Sequence, residues 1–295
     1  MKRVLLIVWS GTGNTLKAAE LIQSSFTVRG YRADIFDCTR VSAGTGGDTA
    51  SGMPGSAIDE AEIIGLGYPI YAFNLPEPFF RYVKTLGLRD KPVFIFKTSG
   101  EPTCPNNGSS HLLIRLLRSC TLLGDYHFLM PYNIIVRFPD NLIKQMYGAA
   151  KRWSNTLAEN IIAGKKSFIP YALLHRINSW VFRIQWPGAR LNGRFYRIRQ
   201  DACTRCGRCI RDCPAGNISL EQGRFRFGWN CTMCMRCSLY CPVDAITTGL
   251  LNPWRVNGPF RFETLEKDET LDGRFITENT RGLYRIYIPR LGREP

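Results

Sequence analysis

The stretch WSGTGNT, Trp9 to Thr15, follows an apolar run, Arg3–Trp9, and opens a segment with helical spacing, Thr15–Arg29. A strand that runs through such a turn into a helix makes an anion site, because backbone N–H groups and the helix N-terminus converge there. Gly11 and Gly13 let the backbone fold tightly. Ser10, Thr12 and Thr15 add hydroxyl donors, and Asn14 adds an amide. No Lys or Arg stands in the loop, so this is a phosphate loop of neutral donors. It is not a Walker loop, which needs Gly-Lys-Ser/Thr, and it lacks the spacing of a dinucleotide G-x-G-x-x-G.

Downstream the pattern alternates strand and helix. Strands are expected at Ala33–Asp37, Glu62–Gly67, Pro92–Thr98 and Tyr126–Val136, and helices at Glu77–Leu86, Ser109–Leu123 and Asn141–Ala163. Continuous apolar strand runs mark a parallel sheet covered on both faces. Five strands predict an α/β doubly wound sheet of order 2-1-3-4-5, with its ligand at the carboxyl ends of the strands. Two further loops emerge at those ends. Gly67–Phe79 offers Tyr68, Pro69, Tyr71, Ala72, Phe73, Asn74 and Leu75, and Thr98–Ser110 offers Thr98, Ser99, Gly100 and Glu101. Tyr68, Tyr71 and Phe73 are the candidates to stack on a planar ligand.

A second kind of chemistry starts at CTRCGRCIRDCP, Cys203 to Pro214, and repeats at CTMCMRCSLYCP, Cys231 to Pro242. Each run reads C-x2-C-x2-C-x3-C-P. The spacing is that of bacterial two-cluster [4Fe–4S] sites, in which the fourth cysteine of each run ligates the other cluster. Cys203, Cys206, Cys209 and Cys241 should hold one cluster, and Cys213, Cys231, Cys234 and Cys237 the other. Zinc would need only four ligands, and a disulfide framework belongs to small secreted domains. The apolar stretches Asn217–Leu220 and Ala245–Thr248 are expected to pack over the clusters. Cys38, Cys104 and Cys120 are left over and read as reduced thiols, Cys104 being the one in a candidate ligand loop.

The 295 residues carry a net charge of +15. Residues 165–200 hold eight Lys/Arg and no Asp/Glu, over half of the excess. Within them Leu173, Ile177, Trp180, Val181 and Ile184 share one helical face beside Arg176 and Arg183. We expect that face to dock two domains together; peripheral membrane contact and an acidic partner are the other readings. Nucleic acid is disfavoured, because no binding module accompanies the charge. The N-terminus has too short an apolar run for a signal peptide, and no run reaches the length of a membrane span. A cytoplasmic protein of a reducing, anaerobic setting is expected. The domain plan is 1–164, a linker 165–200, a cluster domain 201–248, and an extension 249–295 whose end, FITENTRGLYRIYIPRLG, should form one or two strands.

The segment VWSGTGNTLKAAELI is similar to the phosphate loop and first helix of flavodoxins. With the paired cysteine runs, the whole chain resembles the flavodoxin–ferredoxin fusion proteins of anaerobic bacteria and archaea. The resemblance implies a flavodoxin-like domain with FMN, a smaller α+β ferredoxin-like 2[4Fe–4S] domain, and electron transfer. The FMN set would be Ser10, Gly11, Thr12, Gly13, Asn14 and Thr15 with the two ring loops above. It leaves the acceptor open. A reductase fed by an acidic ferredoxin, acting on a small acceptor or partner protein, is the favoured reading. A non-catalytic carrier between larger enzymes is the alternative, and a redox-sensing module a third. Glu101 is the one evident acid near the ring, which argues against an unusually low flavin potential. His111, His127 and His175 form no acid–base pair in sequence.

Overall fold

The computed structural model describes residues 2–39, 55–102, 108–169 and 173–292. Cys104 lies outside them. In the first half, β1 (Arg3–Val8), α1 (Asn14–Thr27), β2 (Arg32–Asp37), α2 (Gly55–Glu60), β3 (Ile63–Pro69), α3 (Glu77–Thr85), β4 (Pro92–Ser99), α4 (His111–Leu116), β5 (Thr121–Leu129) and α5 (Asp140–Ile162) alternate. These strands lie in the order β2-β1-β3-β4-β5, all pairs parallel. Both faces are apolar because strand side chains alternate. Val4, Leu6 and Val8 face the core under α1 and α5, while Leu5, Ile7 and Trp9 face the one under α3 and α4.

The sheet has six strands where five are expected. The sixth, β6 (Ser167–Phe168), pairs with Gly124–Asp125 of β5 and comes from the supposed linker. Two residues are too few to show a strand period. The fifth strand also begins and ends earlier than its apolar run suggests. Asp90 N–H to Ser119 O and Thr121 N–H to Lys91 O draw the chain into the sheet at Thr121 and leave the preceding helix short. Residues 130–136 are thereby freed as a loop at the carboxyl edge.

The bridge contains α6 (Leu173–Val181), a 3-10 turn Phe182–Ile184, and α7 (Gln185–Arg194). The expected apolar docking face is turned outward: Leu173, Ile177, Trp180, Val181 and Ile184 are all exposed. It is α7 that bridges the halves. Trp186 Nε1–H donates to Leu75 O (3.3 Å), and Arg190 pairs with Glu77 (2.6 Å).

The small domain starts inside the supposed linker, since β7 (Tyr196–Ile198) pairs antiparallel with β10 (Ile246–Thr248). Between them lie α8 (Arg208–Arg211), the hairpin β8 (Ile218–Glu221) and β9 (Arg224–Phe227), and α9 (Arg236–Leu239). The duplication is written in the backbone. Arg205 and Met233, Gly207 and Met235, and Gly216 and Asp244 are pairs 28 residues apart, and all six have positive φ.

The extension forms α10 (Phe262–Lys267) and helical turns at Gly282–Tyr287 and Ile288–Gly292, with no strand among the described residues. Tyr284, Tyr287 and Leu291 recur at helical spacing and pack on the α5 side of the sheet, which is why the strand reading fails. Phe262 stacks on Tyr147 (5.2 Å between centroids), and Gln145 exchanges hydrogen bonds with Ile276. The extension is thus a clasp around α5.

Candidate cofactor cavity and thiol cages

A cavity of about 430 Å³ opens at the carboxyl ends of the strands, within the range of small-molecule and cofactor sites, roughly 300–1,000 Å³. Ser10, Gly11, Thr12, Asn14 and Thr15 form its floor. Gly13 sits beneath as the N-cap of α1 at φ 99°, a conformation that favours glycine. The loop is tightly braced. Asn14 Nδ2–H donates to Pro131 O (2.7 Å), Leu16 N–H donates to Ser10 Oγ (3.1 Å), and the Thr15 and Thr98 hydroxyls meet at 2.8 Å.

Of the first ring loop, Pro69, Tyr71, Ala72 and Phe73 line the cavity. Tyr71 and Asn74 close a turn by reciprocal backbone bonds, with Ala72 at φ 43° and Phe73 at φ 62°. Two consecutive left-handed non-glycine residues are strained. The Phe73 ring against Phe182 (4.8 Å) and Asn74 paired with Ser179 hold them there. Three expected ring contacts fail. Tyr68 is fully buried in the α3–α4 core and bonds Ser109, because it continues the inward alternation of Ile64 and Leu66. Leu75 joins the same core, and Asn74 turns to the bridge.

Of the second ring loop, Thr98, Ser99, Gly100 and Glu101 all line the cavity. Tyr132 donates to Glu101 (3.0 Å), and Tyr287 of the clasp donates to Gly100 O (2.7 Å). Burial pushes both phenols far above their ordinary range, aided at Tyr132 by Tyr287 and Glu101 and at Tyr287 by Glu101, so they act as donors. Ser99 Oγ lies 2.7 Å from His127 Nε2. Burial, then Arg290 and Lys97, hold His127 well below its ordinary pKa, so the ring is neutral.

The sequence reading missed the rest of the wall: residues 130–135, Gln185, Met233, Leu251 and Trp254. These come from the freed β5 loop, the bridge, a cysteine run and the extension. Only the β5 loop carried a local signal, the excess length of its apolar run.

The eight cysteines gather as two cages. Cys203, Cys206, Cys209 and Cys241 surround one hollow, with Cys237 at its edge; Cys213, Cys231, Cys234 and Cys237 surround another. The fourth cysteine of each run has crossed to the other's cage. Among the described residues no three His, Cys, Asp or Glu side chains converge as on a single metal ion; the thiols stand around spaces instead. Backbone N–H groups already point at sulfur in matched pairs: Arg205 to Cys203 (3.4 Å) and Met233 to Cys231 (3.4 Å), Asn217 to Cys213 (3.3 Å) and Ala245 to Cys241 (3.2 Å). Such donors stabilise charge on cluster thiolates. Burial pushes the metal-free Cys209 and Cys234 thiols up to about 11 and Cys231 to about 12. Loading must therefore displace protons. Ile246 lines the first hollow and Ile218 the second, whereas Leu220 at the end of its stretch is exposed.

The inner cage is fused to the Ser10–Thr15 loop. A Cβ on Gly11 would lie 2.7 Å from Cys234 Cβ and would collide with the Tyr71 hydroxyl. Arg236 donates to Gly11 O (2.9 Å), Tyr240 donates to Thr12 O (2.8 Å), and Asn133 donates to Cys234 O (3.1 Å). The loop without a cation of its own has a guanidinium delivered to it from 225 residues away.

Residues 195–242 match the 4Fe-4S dicluster domain family. Similar solved structures cover the first half. The Streptococcus pneumonia TIGR4 flavodoxin is 16% identical, over 55% of this chain and 98% of its own, with a TM-score of 0.38. A flavodoxin from the domain Archaea is 14% identical, over 54% and 99%, at 0.36. An FMN-dependent NADH-azoreductase from Bacillus anthracis str. Ames Ancestor is 13% identical, over 54% and 100%, at 0.38. No curated protein matches the chain. The strand order and the cysteine domain together define the class: a flavodoxin-like α/β fold joined to a ferredoxin-type 4Fe–4S domain.

Proposed function

We propose that the chain is an electron-transfer oxidoreductase that carries FMN in the cavity and a [4Fe–4S] cluster in each thiol cage. The observation that carries the reading is the contact of Cys234, an inner-cage ligand, with Gly11 and Tyr71 of the cavity. Bound there, FMN supplies one- or two-electron exchange, and each cluster exchanges single electrons.

The chain's own groups divide the work. Backbone N–H groups at the start of α1, with Ser10, Thr12 and Thr15, would hold the phosphate. Tyr71, Phe73, Ser99, Gly100 and Glu101 line the cavity and would hold the ring, whereas Tyr68 does not reach it. Ser99 donates its hydroxyl to Glu101 O (2.9 Å) and meets neutral His127 behind it, so the pair fixes the Ser99 oxygen at the cavity edge. Tyr132 and Tyr287 brace the Gly100–Glu101 backbone. Arg205, Arg208 and Arg211 stand exposed at the outer cage and favour an acidic donor such as a ferredoxin by steering.

The favoured role is a ferredoxin-linked reductase of a small acceptor or partner protein. To test it, the full chain is loaded anaerobically with FMN, iron and sulfide, then titrated with reduced ferredoxin. One flavin and two clusters per chain, all reducible, are expected. A chain that binds no flavin, or one cluster only, sinks the proposal.

A further inference from the structure

Helix α6 is built inside out. From Leu173 to Ile184 the buried residue is Ser179, at 2% exposure, paired with Asn74 beside the cavity turn. The apolar side chains point away from the protein. Leu173, Leu174 and Trp180 are 66%, 69% and 66% exposed, Ile184 is 74% exposed, and Ile177 and Val181 are about half exposed. At about 100° per residue they cover an arc of roughly 120°, with Ser179 on the opposite side of the helical wheel. Arg176 and Arg183 flank one edge of that arc. Arg115 of α4 and Arg118 just beyond it share a surface hollow with Arg176. The basicity of His111 there is lowered by burial and then by Arg176, Arg115 and Arg183, which shows how closely these charges gather. Residues 165–200 contain no acid to offset them.

We propose that α6 and the turn after it seat the chain on the surface of an anionic lipid bilayer. The leucines, isoleucines, valine and tryptophan enter the boundary between headgroups and acyl chains, and the guanidinium groups meet lipid phosphates. A wide outward apolar arc with tryptophan, edged by arginine, is the make-up of an interfacial helix. No helix among the described residues is long and apolar enough to cross a membrane, so this is a helix lying on the surface. A second copy of the chain fits the patch poorly, because two-fold pairing would set the same arginines against each other. Ser179 and Phe182 tie the helix to Asn74 and Phe73, so the cavity mouth is held at a fixed distance from the lipid.

The test is flotation of the full, cofactor-loaded chain with vesicles of phosphatidylcholine alone or with added phosphatidylglycerol. The variants are Leu174→Gln/Trp180→Gln and Arg176→Gln/Arg183→Gln, each checked for unchanged cofactor absorption. The wild type should float with anionic vesicles and not with neutral ones. The apolar variant should bind more than about tenfold more weakly, and the basic variant should lose binding with a shallower salt dependence. No flotation with anionic vesicles overturns the proposal. So does an apolar variant that floats like the wild type, since adsorption would then be the work of the +15 net charge alone. A dimer, or a complex with an acidic ferredoxin, that the apolar variant abolishes while lipid binding is absent assigns the patch to protein and likewise overturns it.

Discussion

The two cysteine runs are copies of one unit placed in opposite surroundings. Cys206 and Cys234 are equivalent, 28 residues apart; Cys206 is exposed, whereas Cys234 is buried against the cavity floor. Arg208 and Arg236 are equivalent too. Both cover the Tyr240 ring, at 5.2 and 5.4 Å. Arg208 then turns to Asp212 near solvent, and Arg236 to Gly11 O. A symmetric unit has been made directional by what packs on each half. The outer cage faces solvent and the inner cage faces the cavity.

The largest expected difference is in metal loss. A chelator under air should strip the outer cluster well before the inner one, read as two phases of iron release with the first removing half. A single phase would break the comparison. Next comes Gly11→Val, which forces a side chain into Cys234 and Tyr71. Overpacking of this kind costs about 1–3 kcal/mol, so flavin affinity should fall about ten- to hundredfold by fluorescence titration; unchanged affinity would contradict the contact. Arg236→Ala against Arg208→Ala sharpens the comparison. Removing the charged bond to the loop should cost about 1.5–3 kcal/mol in thermal stability. The exposed Arg208–Asp212 pair should cost under about 1 kcal/mol. The smallest effect is Tyr240→Phe, about 1 kcal/mol for one neutral bond to Thr12 O, seen in the same unfolding scans.

Local patterns were legible and distant ones were not. The cysteine spacing is a short-range ligand pattern, so both four-thiol sets could be read with their crossover. WSGTGNT likewise encodes its own turn and helix start. Tyr68 was misread because its loop-like neighbours hid the period-two continuation from Ile64 and Leu66 into the core. Arg236, Tyr240 and Trp254 reach the cavity region from a separate domain and the extension, and no local period announces such a contact. The direction in which α6 faces was also hidden. An amphipathic pattern gives two faces but does not say which one the protein buries.

On the proposed function, electrons would enter at the outer cage and cross the inner one to the cavity. The most direct test is the rate of flavin reduction by a reduced acidic ferredoxin, in the loaded wild type and in Cys206→Ser. That substitution alters an exposed outer ligand and leaves the residues lining the cavity untouched. Unchanged flavin content with most of the rate lost is expected. Flavin reduced as fast in the variant as in the wild type would show that the outer cage is not on the path.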